Sequence, residues 1–131
     1  MGRLHTMAPL AALLALAACA TSYRFPPAEA PGTGTTQEGV ASWYGPGYHG
    51  KPTASGERFD QNALTAAHPS WAFGTRVRVT LIQTRRSVVV RINDRFPAHK
   101  GRIIDLSREA AKRIGLLGPG TGRVRLEVLG R

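Results

Sequence analysis

The sequence predicts a mainly β chain, a small closed barrel of six short strands with one or two short helices. Three observations lead there. From residue 39 onward, apolar and polar residues alternate with period two in several short runs. Gly, Pro and polar pairs separate these runs, and only the stretch after Ser107 carries both a helical cap and a helical stop. Six such runs in one small domain bury their apolar faces most economically by closing on themselves.

Taken in order, "GVASWYG" (39–45) alternates and ends at Gly, a strand running into a loop. The segment 45–63 is rich in Gly and Pro and has no sustained period; it reads as an ordered loop of functional length, with one helical turn expected near Phe59. "LTAAH" (64–68) is a short strand. "GTRVRVTLI" (74–82) is a strong one, with Val77, Val79 and Leu81 on one face and Arg76, Arg78 and Thr80 on the other. "SVVVRIND" (87–94) suits a strand buried on at least one face, and "IID" (103–105) is a further short strand. Ser107 can cap a helix over 108–114, with Glu109 in its first turn, Lys112 and Arg113 in its last, and Gly115 as the stop. Asp105, just upstream, reads as a carboxylate serving that helix start. "GRVRLEVL" (122–129) supplies the last strand.

Residues 1–18 read as a signal peptide: Arg3 gives a positive start, and "MAPLAALLALAA" (7–18) is apolar but shorter than the roughly 20 residues of a membrane span. "LAAC" (16–19) resembles the lipobox of bacterial lipoproteins, which makes Cys19 the expected lipidation site and residues 19–38 a flexible tether to a domain over 39–131. Ala20 in place of Asp favours the outer membrane, facing the periplasm. As the only cysteine, Cys19 leaves no internal disulfide, so the fold relies on its core.

The formal net charge is +10, carried by 18 basic against 8 acidic residues. In a cytosolic protein such a balance points to nucleic acid; in an exported one it points instead to cell-wall carboxylates or phosphates, so no nucleic-acid partner is expected. No cofactor or metal is expected either, because the histidines have no Cys or His partner at ligand spacing. What remains for chemistry is a set of carboxylates, Glu57, Asp60, Asp94 and Asp105, among Trp43, Tyr44, Tyr48, Phe59 and Trp71. Carboxylates beside flat aromatic faces are what sugar-polymer sites use. Asp94 ends an apolar strand, where burial would hold a proton on it.

The phrases "GVASWYG", "HGKPTASGERFD", "LTAAH", "FGTRVRV", "SVVVRINDR" and "GRIIDLS", in this order and spacing, closely resemble the rare lipoprotein A (RlpA) family of septal lytic transglycosylases, over about residues 39–129. The resemblance implies a double-psi β-barrel related to the expansin barrel. It also implies endolytic cleavage of peptidoglycan glycan strands that lack stem peptides, leaving 1,6-anhydroMurNAc ends. The family's activity-linked residues fall on Glu57, His68 and Asp94. In that setting Asp94 is expected as the acid and then the base, with Glu57 and His68 as its helpers. Tyr44 and Tyr48 are candidate stacking surfaces, and Arg91, Arg95 and Arg102 candidate contacts for the lactyl carboxylate. The competing expectation is an expansin-like lipoprotein that binds glycan without cutting it. One departure stands beside the acid: the family usually reads Asn-Asp-Arg-Gly-Pro, whereas this chain has Phe96 in place of the glycine, predicting a locally different turn. The sequence implies no particular protein partner.

Overall fold

The computed structural model describes residues 24–131; the expected signal peptide over 1–18 and the expected lipidation site, Cys19, lie outside them. The strands are β1 (Thr36–Trp43), β2 (Thr65–Ala67), β3 (Arg76–Leu81), β4 (Ser87–Asp94), β5 (Arg102–Leu106) and β6 (Gly122–Gly130), with one helix, α1 (Arg108–Ile114), between β5 and β6. They close into a barrel in the order β1-β5-β2-β4-β3-β6. The β1–β5 and β2–β4 pairs are parallel, and the other four are antiparallel.

Alternation along the strands puts one side of each inside. In β3, Val77, Val79 and Leu81 are buried while Arg76 and Arg78 face solvent, as the sequence requires. They meet Val88, Val90 and Ile92 of β4 and Val124, Leu126 and Val128 of β6 in one core. β1 and β5 approach so closely that a Cβ on Gly39 would sit 2.8 Å from Ile103 Cγ2 and 3.0 Å from the Gly101 carbonyl oxygen. Only glycine fits that position.

The helix begins and ends where expected. Ser107 Oγ accepts from the Ala110 N–H at 3.2 Å and donates to the Ala63 carbonyl at 2.6 Å, tying the helix start to the long loop. Gly115 closes the helix at φ 83°, a left-handed conformation that suits glycine. Ala110, Ala111 and Ile114 form its buried face.

Two local expectations change. β1 starts at Thr36, inside the stretch read as tether, and Glu29 is already paired: its N–H donates to the Ser70 carbonyl and its carbonyl accepts from Ala72 N–H, both at 2.7 Å. Phe59 is in no helical turn. Its N–H donates to the Lys51 carbonyl at 2.8 Å and its carbonyl accepts from Gly50 N–H at 2.7 Å, so the loop folds as a small hairpin with Pro52 bridged to Arg58. Phe96 does not take the left-handed backbone that a glycine there would permit.

Candidate active site

The parallel pairing of β1 with β5 and of β2 with β4 brings distant acids to one end of the barrel. Ala67 of β2 is in register with Asp94 of β4 on one side and with Asp105 of β5 on the other. Ala67 thus stands between the two aspartates, which lie two strand spacings apart, about 10 Å between Cα atoms, at a point where the β2–β4 register shifts. Both line a cleft of about 510 Å³ together with Trp43, Tyr44, Tyr48, Arg95, Phe96 and Arg102.

Asp94 is held at both oxygens. Oδ2 accepts the Tyr44 O–H at 2.6 Å, and Oδ1 accepts the N–H groups of Ala54 at 2.9 Å and Arg95 at 2.8 Å. The Arg95 guanidinium turns away from the Asp94 carboxyl, reaching the His68 carbonyl at 3.3 Å and lying 4.2 Å over the Phe73 ring. Tyr44 is positioned by stacking on Phe59 at 4.2 Å between ring centroids, with Tyr48 edge-on at 5.7 Å. Burial, and then its bond to Asp94, push the Tyr44 hydroxyl well above the usual phenol range, so it acts as a donor.

Asp105 does not serve the helix; Ser107 alone caps it. Asp105 Oδ1 accepts the Ser42 hydroxyl at 3.0 Å, Arg102 Nη2 stands 3.9 Å away, and the same guanidinium group donates to Ser42 Oγ. Burial pushes the Asp105 carboxyl above the usual carboxylate range; Ser42 and Arg102 pull the other way, and the nearby Asp94 adds to the rise. The sequence hid this role because Ser42 is 63 residues away and no local motif joins the two.

His68 and Glu57 support the site without lining the cleft. The His68 side chain is only 2% exposed. Its Nδ1 accepts the N–H groups of Ser70 and Trp71, at 3.1 and 3.0 Å, so Nε2 carries the proton and donates to Gln37 Oε1 at 2.9 Å. The ring stacks on Trp71 at 4.1 Å, and burial lowers its pKa to about 3, which keeps it neutral. Its backbone N–H donates to the Asp94 carbonyl at 3.1 Å. Glu57 bonds the Asn93 amide and stands 3.0 Å from Arg91 Nη1; the Asn93 bond above all holds its carboxyl below the usual range. Arg91 is therefore engaged on the outer face and does not join Tyr44, Tyr48, Arg95 and Arg102 at the cleft. Phe96, Lys51 and Trp43 complete its walls.

A closed barrel of six mixed strands with one helix is the architecture of a double-psi β-barrel domain. The family model described as lytic transglycolase (DPBB_1) matches residues 36–126. The chain belongs to this family. It is 60% identical over 91 residues to the probable endolytic peptidoglycan transglycosylase RlpA of Synechocystis sp., covering 70% of this chain and 28% of that protein. The endolytic peptidoglycan transglycosylase RlpA of Campylobacter jejuni is 54% identical over 97 residues, 74% of this chain and 35% of that protein. The chain thus spans about a third of these relatives' length. Among solved structures, Streptomyces papain inhibitor shares the fold at TM-score 0.61 and 21% identity, covering 77% of this chain and 99% of that one. Clavibacter michiganensis expansin does so at TM-score 0.59 and 22% identity, covering 72% of this chain and 50% of that one.

Proposed function

We propose that this chain is an endolytic peptidoglycan lytic transglycosylase acting on glycan strands that lack stem peptides. The observation that carries the reading is Asp94, fixed by three donors in an aromatic cleft, in a domain 60% and 54% identical over 91 and 97 residues to proteins named as peptidoglycan transglycosylases. Such a cleft suits a sugar polymer: Tyr44 and Tyr48 offer ring faces, and Arg102 offers a fork for the lactyl carboxylate of MurNAc.

The reaction breaks the bond from C1 of MurNAc to O4 of GlcNAc without water. An acid protonates O4 as the bond breaks, and the C6 hydroxyl of the same MurNAc closes on C1 while a base takes its proton. Asp94 is that base. The Tyr44 O–H and the two backbone N–H groups fix its position before substrate arrives, which is where most of the rate comes from. Glu57 and His68 act through it: Glu57 secures Asn93 and the loop carrying Ala54, and His68 secures the turn beside the Asp94 carbonyl. Stem peptides would have to pass the walls formed by Phe96 and Lys51, which favours bare glycan.

The lipobox-like "LAAC" supports lipidation at Cys19 and attachment to the outer membrane, facing the periplasm where the glycan lies. Asp94→Asn tests the reading: it should keep the thermal unfolding profile and glycan binding but release no soluble product. Unchanged release would refute it. Binding without release by the unsubstituted chain would favour the expansin-like alternative.

A further inference from the structure

The cleft holds an aromatic ring and a fixed guanidinium that take no part in breaking the glycosidic bond. We propose that Phe96 and Arg102 form one recognition unit for the free lactyl carboxylate of MurNAc, with Phe96 the residue that sets how strongly bare glycan is preferred. This deepens the transglycosylase reading and rests on it.

The course of the chain brings the two side chains together. Arg102 opens β5, and its N–H donates to the His99 carbonyl at 3.0 Å. Between them Lys100 at φ 50° and Gly101 at φ 74° turn the chain. The segment leaving Asp94 is thereby folded back toward β5. Phe96 lies half-buried in the cleft wall, its ring centroid 5.5 Å from the Arg102 guanidinium carbon. That ring covers one side of the guanidinium and favours the cation in place; a glycine there would offer no ring.

Arg102 is fixed yet only partly used. Nη2 donates to Ser42 Oγ, and Asp105 Oδ1 stands 3.9 Å from the same nitrogen, beyond hydrogen-bond reach. Burial raises the hold of Asp105 on a proton, so that carboxyl is a weak counter-charge. Among the described residues no acceptor reaches Nη1 or the buried Nε. A carboxylate is the acceptor that matches such a fork. The other cations of the cleft are placed differently. Arg95 turns to the His68 carbonyl and the Phe73 ring, and Lys51, a single exposed ammonium, lies 5.6 Å from the centre of Tyr48.

The substrate supplies the contrast. Where a stem peptide is attached, the lactyl carbonyl belongs to a neutral amide; hydrolysis of that amide leaves a carboxylate. A bare strand therefore differs from a decorated one in charge as well as in bulk. The cleft walls act on bulk, and the Phe96–Arg102 unit reads charge.

The test separates the two. Denuded glycan is compared with the same glycan after its lactyl carboxylates are converted to methylamides, which removes the charge and adds almost no width. The full chain should favour the carboxylate form about 10–100-fold in kcat/KM. Arg102→Gln should bring that preference to within about twofold of none. Phe96→Leu keeps an apolar wall without a π face and should lower the preference about 3–10-fold, whereas Phe96→Tyr keeps the ring and should retain it. Each variant is judged on a ratio of two substrates, so a general loss of stability or rate cancels. Equal use of both glycans by the unsubstituted chain, or an undiminished preference in Arg102→Gln or in Phe96→Leu, would overturn the proposal. If the chain cuts neither glycan, the transglycosylase reading falls, and the same ratio taken from binding decides this inference. Equal cutting of both fells only the inference.

Discussion

Acidification should weaken the fold through His68 before most carboxylates titrate. In the folded chain the ring is buried, its Nδ1 accepts two backbone N–H groups, and its pKa falls from 6.5 to about 3. The unfolded chain therefore takes up a proton below pH 6.5 that the folded chain refuses. The stabilisation is complete above the unfolded value and drains away as pH falls toward 3. One such group costs about 2 kcal/mol between pH 7 and pH 5, approaching about 1.4 kcal/mol per pH unit. Urea unfolding at pH 7, 6 and 5 measures this directly. His68→Gln is the control, since an amide can accept from the Ser70 and Trp71 N–H groups and donate to Gln37 without titrating. The loss in the original chain should exceed that in the variant by about 2 kcal/mol. Equal losses would mean that His68 is protonated in the fold and is not the neutral acceptor described.

Tyr44→Phe keeps the stack on Phe59 but removes the 2.6 Å bond to Asp94, and should lower kcat about 10–100-fold with little change in KM, as glycan-release kinetics would show. Glu57→Gln should cost no more than about 1 kcal/mol at pH 7, because its pair with Arg91 is largely exposed. With the folded carboxyl held low, that difference should fade as pH falls below 4.5, and it should slow glycan release far less than Asp94→Asn does. Ser107→Ala leaves the Ala110 N–H and the Ala63 carbonyl without their shared partner and should cost about 1–3 kcal/mol in thermal or urea unfolding.

Much of the barrel was legible because alternation is a local signal. Val77, Val79 and Leu81 fell inside, and Ser107 and Gly115 bounded the helix, all from neighbouring residues in the sequence. The start of β1 was not legible: Thr36, Gln37 and Glu38 pair with Glu127, Leu126 and Arg125 of β6 through backbone groups, with no apolar side chain to announce them. The site divides the same way. Asp94 and Tyr44 could be picked as candidates one by one, but the Tyr44 O–H reaches Asp94 across 50 residues. Asp105 looked like a helix-start residue because Ser107 stands two positions on; only the register with Ser42 and Ala67 turns it to the cleft. Glu57 and Arg91 each looked like site residues; the loop carrying Glu57 folds against β4, and there the two pair with one another.

The most direct test of the central claim is the mass of what the chain releases from denuded sacculi. Incubated in ordinary and in ¹⁸O-labelled water, the chain should yield soluble glycans whose MurNAc ends are one water lighter than a hydrolysis product and carry no label. Labelled reducing ends would make it a hydrolase, and bound but uncut sacculi would make it a binding domain.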